Sequence, residues 1–147
     1  MKGVIKIYPQ LKLNNQLCFP LYATSKEIIR RYKPYLDEIH LTYTQYITMM
    51  VIWEFKEINV KAIGTYLYLD SGTLTPLLKK LEQQKLIERR RSVDDERNVM
   101  IHLTEEGERL QEKAKEIPEK MGTCFHLEPD EIKELYRLLY KILKQEK

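Results

Sequence analysis

The sequence predicts a mainly α-helical chain with one small β-hairpin. Five glycines in 147 residues leave few tight turns to interrupt helices. Apolar residues recur at spacings of three and four, as at Ile132, Leu135 and Leu139, which is the period of an amphipathic helix. The pattern changes only at 86–91, "LIERRR", and 98–103, "NVMIHL", where branched residues are typical of strands.

Two helices are predicted at the start of the chain. Asn14 or Asn15 can cap the first, which runs to about Tyr32. Pro20 lies inside this predicted helix, and we expect it to bend the helix because proline has no backbone donor. The following segment, "YKPYLDEI", is predicted to form a turn and then a short helix with Pro34 in its first turn.

Polar side chains mark the starts of the next three helices, because a side-chain oxygen can accept from the unpaired amides of a first turn. The predicted caps are Thr42 or Thr44, Asn59, and Asp70 or Ser71. The last two of these helices are short and stand close together, joined by the tight segment "YLDSGT".

The hairpin and two longer helices complete the chain. The polar loop "SVDDER" joins the two predicted strands. Thr104 caps a helix that ends near Pro118, a connector holds Cys124, and Glu128 or Asp130 begins the last helix. Helix, helix, tight turn, helix and hairpin, in this order, are typical of a winged helix-turn-helix.

We expect one domain spanning residues 1–147. The winged helix-turn-helix occupies about 42–103. The flanking helices, at about 13–32 and 104–146, are too long and too apolar for one small module. They are therefore predicted to form a dimerisation frame.

Composition and charge exclude several classes of protein. A net charge of +3 permits nucleic-acid binding without demanding it. Two distant cysteines form neither a metal signature nor a disulfide framework, and no stretch is typical of a signal peptide or a membrane span. Phosphate-binding glycine motifs, histidine pairs at metal spacing and nucleophile elbows are missing from the sequence. We therefore expect a cytoplasmic protein that is not an enzyme and has no cofactor or metal.

The helix "DSGTLTPLLKKLEQQ" has a polar face suited to DNA. Its apolar face holds leucines at helical spacing. Small hydroxyl groups and lysines on the other face can approach base edges and phosphates. They are Ser71, Thr73, Thr75, Lys79 and Lys80. The alternative is an ordinary amphipathic helix with a solvated polar face.

The predicted wing adds arginines. Arg89 belongs to a run of three, and Arg97 closes the loop. Asp95 is predicted to brace an arginine, which leaves Arg97 to enter the minor groove. The run of three arginines has an alternative role as a solvated strand edge protected against aggregation. A dimer would place two such helices about one DNA turn apart on double-stranded DNA, which implies a palindromic operator.

Three stretches of the chain resemble the MarR family of bacterial regulators, and more narrowly its organic-hydroperoxide-sensing OhrR branch. They are "NQLCFPLYATSKE", "LTYTQYITMMVIWE" and "LDSGTLTPLLKKLEQQKLIERRRSVDDERNVMIHLTEEG". The resemblance extends from about residue 13 to 145. Because most MarR proteins lack "LCF" followed by tyrosine, this motif is the more specific.

The resemblance implies a homodimeric winged-helix repressor with Cys18 as its reactive thiol. Tyr32 and Tyr43 of the facing subunit would hydrogen-bond this cysteine. An organic hydroperoxide would oxidise it to a sulfenic acid, which then forms a disulfide with a second protein cysteine or a low-molecular-weight thiol, and the dimer would leave its operator. Cys124 is the candidate for the resolving cysteine; the alternative is a partly buried cysteine with no role.

Other functions stay open on the sequence alone. The same fold can be released from DNA by a small phenolic ligand, as in other MarR proteins. A broader thiol-redox regulator of stress or virulence genes would use the same Cys18. A winged helix used only for protein–protein contact is a third alternative. By residue type alone, an inert buried cysteine is the better interpretation of Cys18, since free cysteines are among the most buried residues.

Overall fold

The computed structural model describes residues 5–144; the two ends of the predicted domain, 1–4 and 145–147, lie outside this part. Two short 3₁₀ turns, Pro9–Leu11 and Leu13–Asn15, precede the regular elements. The elements that follow are α1 (Cys18–Asp37), α2 (Tyr43–Phe55), β1 (Glu57–Asn59), α3 (Val60–Leu67), α4 (Ser71–Gln83), β2 (Ile87–Arg91), β3 (Val99–Leu103), α5 (Glu105–Ala114), α6 (Ile117–Gly122) and α7 (Pro129–Leu143). They divide into two compact units, residues 1–115 and 116–147.

The first helix differs from its prediction at both ends. It begins at Cys18 and not at Asn14 or Asn15. Pro20 is therefore the third residue of α1, where its backbone nitrogen needs no helical acceptor, and the predicted bend has no cause. The predicted turn at "YKPYLDEI" is also wrong, because α1 continues through Pro34 to Asp37.

The predicted polar caps of the following helices are confirmed. Thr42 and Gln45 form a reciprocal capping box at the start of α2. Asn59 accepts from the Ala62 amide at 2.7 Å and so caps α3. Asp70 accepts from the Thr73 amide, also at 2.7 Å, and so caps α4. Each cap satisfies an amide that the helix itself leaves unpaired.

The turn between α3 and α4 depends on a left-handed residue that is not glycine. Tyr68, at φ 55°, ends α3, and its amide donates to the carbonyl of Gly64. A Cβ added to Gly64 would lie 2.7 Å from the backbone oxygen of Leu69, so glycine permits the close return of the chain. The two helices α3 and α4 are thus joined by a short turn and form a helix-turn-helix.

The wing is a three-stranded antiparallel sheet in the order β1-β3-β2. The predicted hairpin is confirmed as β2 and β3, with Arg89 opposite Ile101. The sequence analysis missed β1, a strand of three residues in which Ile58 pairs with Ile101. The fold class is confirmed as a mainly helical winged helix-turn-helix.

The core of the first unit lies under α2, α3, α4 and the sheet. Its most deeply buried side chains include Met49, Ile52, Ile63, Leu74, Leu78, Leu81, Ile87 and Ile101. Trp53 joins α2 to α5, because its buried indole N–H donates to the carbonyl of Gly107 at 2.8 Å. Burial of these apolar side chains stabilises the arrangement of α4 against the wing.

The second unit contains α6 and α7. The sequence analysis missed α6 because it took Pro118 to end a helix, whereas Pro118 is the second residue of α6. Glu128 begins α7 as predicted, in a capping box with Glu131. The apolar side chains of α7 are 37–50 % exposed: Ile132, Leu135, Leu138, Leu139, Ile142 and Leu143. In residues 5–144, no helix is long and apolar enough to cross a membrane.

Candidate redox site and nucleic-acid interface

Cys18 is the first residue of α1 and is exposed. The amides of a first helical turn point outward from the helix end and favour negative charge near them. The side chains around the thiol in the chain are apolar and also exposed: Leu17, Phe19 and Leu21. In the single chain, Cys18 is therefore an exposed cysteine at a helix N-terminus among exposed apolar side chains.

Tyr32 and Tyr43, predicted as partners of a reactive thiol, come together at the α1–α2 junction. Their ring centroids are 5.0 Å apart and the rings are tilted by 53°. Burial raises the pKa of both phenols, and the nearby Tyr43 raises that of Tyr32 further. Both side chains therefore stay neutral and able to donate a hydrogen bond.

Sequence analysis missed a third tyrosine at this junction. The Tyr46 ring is 5.8 Å from that of Tyr32 and 6.5 Å from that of Tyr43. It is only 2 % exposed, and burial, with a smaller effect of its two neighbours, raises its pKa to about 12. Tyr46 follows Tyr43 by three residues on α2, and this helical spacing was the available signal. We call Tyr32, Tyr43 and Tyr46 the tyrosine cluster.

Cys18 and the tyrosine cluster of the same chain are far apart. Cys18 and Tyr32 both belong to α1 and are fourteen positions apart. A helix rises about 1.5 Å per residue, so they are separated by about 21 Å along the axis. A contact between this thiol and these phenols therefore requires two chains.

Cys124 lies in the second unit, just after α6. It is half-buried, and its thiol donates weakly to the carbonyl of Lys120, with sulfur and oxygen 3.7 Å apart. Neither Cys124 nor Cys18 takes part in a disulfide.

The polar face of α4 is exposed as predicted. The side chains that the sequence assigns to DNA are all accessible: Ser71, Thr73, Thr75, Lys79 and Lys80. The Thr75 hydroxyl donates to the Ser71 carbonyl at 2.8 Å, so its oxygen still has room to accept. The leucines of the opposite face are buried, which fixes the direction of the polar face.

Arg89 is held by the helix that precedes the wing. Its guanidinium donates to the carboxylate of Glu82 at 2.8 Å, and its backbone amide donates to the same carboxylate at 3.1 Å. These bonds lower the pKa of Glu82. The pair ties α4 to β2 and turns the Arg89 guanidinium towards Glu82.

Asp95 braces the wing tip through the backbone. Its carboxylate accepts from the Arg97 amide at 3.0 Å, and its carbonyl accepts from the Asn98 amide at 2.9 Å. The sequence predicted that Asp95 would hold the side chain of an arginine other than Arg97, whereas in residues 5–144 its carboxylate contacts the main chain of Arg97. The Arg97 side chain is exposed, and so is Val93 in the same loop.

Comparisons with known proteins give the family. The family model for the transcriptional regulators SarA/Rot matches residues 30–117. The organic hydroperoxide resistance transcriptional regulator of Bacillus subtilis is 49% identical over 140 residues, which cover 93% of each chain. The structure of reduced AbfR bound to DNA is 37% identical with a TM-score of 0.77, covering 92% of this chain and 94% of that one. A disulfide form of AbfR is 35% identical with a TM-score of 0.65, covering 92% and 95%. AbfR comes from Staphylococcus epidermidis.

These matches extend well beyond the three motifs from which the resemblance was first drawn. They cover the helix-turn-helix, the wing and the flanking helices, and they confirm both the resemblance and the expectation that the chain is not an enzyme. The chain belongs to the MarR/SarA family of transcriptional regulators.

Proposed function

We propose that this protein is a homodimeric repressor that binds a palindromic operator and releases it when an organic hydroperoxide oxidises Cys18. The observation that best supports the proposal is that one chain holds both an exposed thiol in an apolar surface and two neutral, half-buried phenols, Tyr32 and Tyr43. Because the thiol and Tyr32 lie about 21 Å apart along α1, the phenols of one subunit serve the thiol of the other.

DNA binding is supported by α4 and the wing. The hydroxyls and lysines of α4 are exposed on one face, and Arg97 projects from a tip that Asp95 holds in shape. The relative AbfR has been solved on DNA, at 37% identity. The α4 helix lies in the major groove and Arg97 in the minor groove, and phosphate contacts from lysines make binding salt-dependent.

Dimerisation is supported by the apolar side chains of α7, which are about half-exposed along the length of the helix in the single chain. An amphipathic helix with such a face buries it against a partner. A second copy of the chain places the two α4 helices in successive major grooves on one side of the duplex.

The redox step is a two-electron oxidation of sulfur. The Cys18 thiolate attacks the terminal oxygen of the hydroperoxide, the O–O bond breaks, and the alcohol leaves after taking up a proton. Cys18 becomes a sulfenic acid. Tyr32 and Tyr43 of the facing subunit donate hydrogen bonds that favour the thiolate before this attack. The apolar side chains around Cys18 favour an organic hydroperoxide over a polar one.

A second thiol then attacks the sulfenic sulfur, water leaves, and a disulfide forms. Cys124 of the facing subunit or a low-molecular-weight thiol supplies this second sulfur. The relative AbfR has a solved disulfide form, which supports this step. Release of the operator by about 100-fold corresponds to about 2.7 kcal/mol between the reduced and oxidised proteins.

The test is the binding of a dye-labelled duplex from the protein's own upstream region, followed by anisotropy. Reduced wild type and Cys18→Ser are titrated before and after one equivalent of an organic hydroperoxide. We expect wild type to release the DNA and Cys18→Ser to hold it. Cys124→Ser is measured beside them, because it removes the candidate resolving thiol and leaves Cys18 in place.

Each other outcome points to a different function. If both proteins hold DNA after peroxide, Cys18 is not the switch, and release by a phenolic ligand is then tested on the same duplex. If hydrogen peroxide and disulfide reagents release wild type equally well, the protein is a broader thiol-redox regulator. If no variant binds at low salt, the proposal of DNA binding is wrong.

A further inference from the structure

Trp53 lies between the tyrosine cluster and the base of the wing. On one side its ring meets the edge of Tyr46, with centroids 6.5 Å apart and planes at 71°. On the other side its indole N–H donates to the Gly107 carbonyl at 2.8 Å. Trp53 is 7 % exposed, so both contacts are made in the protein interior. The side chain thus connects the candidate redox site to α5.

The tyrosine side of this connection is closely packed. Tyr46 touches both Tyr32 and Tyr43 and is almost completely buried, so it cannot turn away from them into solvent. Edge-to-face and tilted aromatic contacts have preferred geometries. A movement of Tyr32 or Tyr43 therefore changes the position available to Tyr46, and through it that of Trp53.

On the wing side of Trp53, the surroundings of Gly107 leave no room for a larger residue. A Cβ added to Gly107 would overlap the backbone oxygen of Leu86 and lie 2.7 Å from the Leu103 side chain. The Thr104 hydroxyl donates to the Lys85 carbonyl at 2.7 Å. The Thr104 amide donates to the Leu86 carbonyl at 3.2 Å. The start of α5 is thus fixed to two of the three residues that join α4 to β2.

The segment between α4 and β2 also joins the two parts of the chain that are proposed to contact DNA. Lys85 and Leu86 are the last two of the three residues between α4 and β2, and β2 holds Arg89. A shift of Gly107 therefore reaches α4 and the wing together. Packed interiors transmit such shifts because they have few alternative arrangements.

We infer that Trp53 is a positioning residue that couples the tyrosine cluster to α4 and the wing, so that oxidation of the facing subunit's Cys18 beside the cluster weakens operator binding. The inference rests on the proposed function. It assigns to Trp53 the transmission of the signal, and neither the reaction of Cys18 nor a contact with DNA.

The test separates oxidation from release. Trp53→Phe keeps an aromatic ring against Tyr46 and removes the N–H that binds Gly107. We expect Cys18 of this variant to be oxidised at the wild-type rate, and the reduced variant to bind the duplex within about threefold of wild type. The ratio of the oxidised to the reduced dissociation constant is expected to fall by about tenfold, because the coupling between the two sites is lost.

Tyr66→Phe is the matched control. Tyr66 also belongs to an aromatic pair, since its ring centroid is 5.1 Å from that of Phe55. It is 55 % exposed, however, and does not join the tyrosine cluster to α5. Its ratio of dissociation constants is expected to equal that of wild type. A Trp53→Phe protein with an unchanged ratio overturns the inference. So does one whose reduced and oxidised affinities fall by the same factor, since that is the result of a purely structural role.

A second measurement uses wild type alone and does not depend on the folding of a variant. The chain has a single tryptophan, so its indole N–H gives one NMR signal. We expect this signal to shift and its hydrogen exchange to quicken on oxidation of Cys18. If wild type releases DNA on oxidation while the signal is unchanged, the inference is wrong and the proposed function stands. If wild type is oxidised and keeps its DNA, the proposed function itself fails.

Discussion

Tyr46 is a buried phenol whose ionisation opposes the folded state. Its pKa is raised to about 12, mainly by burial, from the ordinary value of 10.0. Below pH 10 the group is neutral in the folded and unfolded chains. Between pH 10 and about 12 the unfolded chain loses this proton and the folded chain retains it, so unfolding becomes more favourable.

Tyr46→Phe should therefore weaken the dependence of stability on alkaline pH. The free energy of unfolding of wild type is expected to fall more steeply above pH 10 than that of the variant. Denaturant unfolding at neutral pH and above pH 10 measures the difference. Tyr66→Phe is the control, because Tyr66 is exposed and its slope should match wild type. Equal slopes for all three proteins would contradict the role given to burial at Tyr46.

Gly107 is required by a close approach of two segments. Because an added Cβ would overlap the Leu86 carbonyl, Gly107→Ala forces α5 away from the α4–β2 connection. Overpacking of this kind is expected to lower the free energy of unfolding by about 1–3 kcal/mol. Gly122→Ala is the matched control, since nothing lies within 4 Å of its added Cβ and it belongs to a helix. Urea unfolding should show no loss of stability in that variant.

At the scale of single elements, α5 depends on Thr104 for its start and for its position. The Thr104 hydroxyl accepts from the Gly107 amide at 3.0 Å and donates to the Lys85 carbonyl at 2.7 Å. Thr104→Ala removes both bonds and is expected to cost about 1–2 kcal/mol of stability. Thr104→Ser keeps the hydroxyl and should lose much less. Thermal or urea unfolding of the two variants decides this, and an equally large loss in both would contradict it.

The helix starts were predictable where the signal is local. Thr42, Asn59, Asp70 and Thr104 cap helices because the side chain and the amide that it accepts from lie within three residues. The start of α1 has no such signal, since Leu17 makes no side-chain cap. Strand β1 has only three residues and forms through a partner more than forty positions away.

The same distinction holds for the candidate site. Cys18, Tyr32 and Tyr43 were predicted from a motif that resembles a known family, and the structure brings the two tyrosines together. Tyr46 and Trp53 were not predicted, because their importance comes from packing of α2 against α1 and α5. Sequence spacing gives the face of a helix but not what meets it.

At the scale of the whole molecule, the salt dependence of DNA binding should come from a limited set of cationic side chains. Arg97 is exposed at the wing tip, and the Asp95 carboxylate contacts its backbone. Arg97→Ala is expected to weaken binding and to reduce the slope of log affinity against log salt by about one. Anisotropy titrations over a range of salt concentrations give this slope.

Arg30→Ala is the control for this measurement. Arg30 lies on α1, pairs with Glu27 at 2.7 Å and is exposed. Its removal is expected to leave the salt slope unchanged. A slope that changes equally in both variants would mean that general positive charge, and not the wing tip, determines the affinity.

The single tryptophan described above also decides what an optical experiment on this protein can report. Trp53 belongs to the first unit, within residues 1–115, and residues 116–147 contain no tryptophan. The intrinsic emission of the chain therefore follows the junction of α2 and α5, and tyrosines nearby will transfer excitation to it. A midpoint obtained from it therefore describes the unit that holds α4 and the wing.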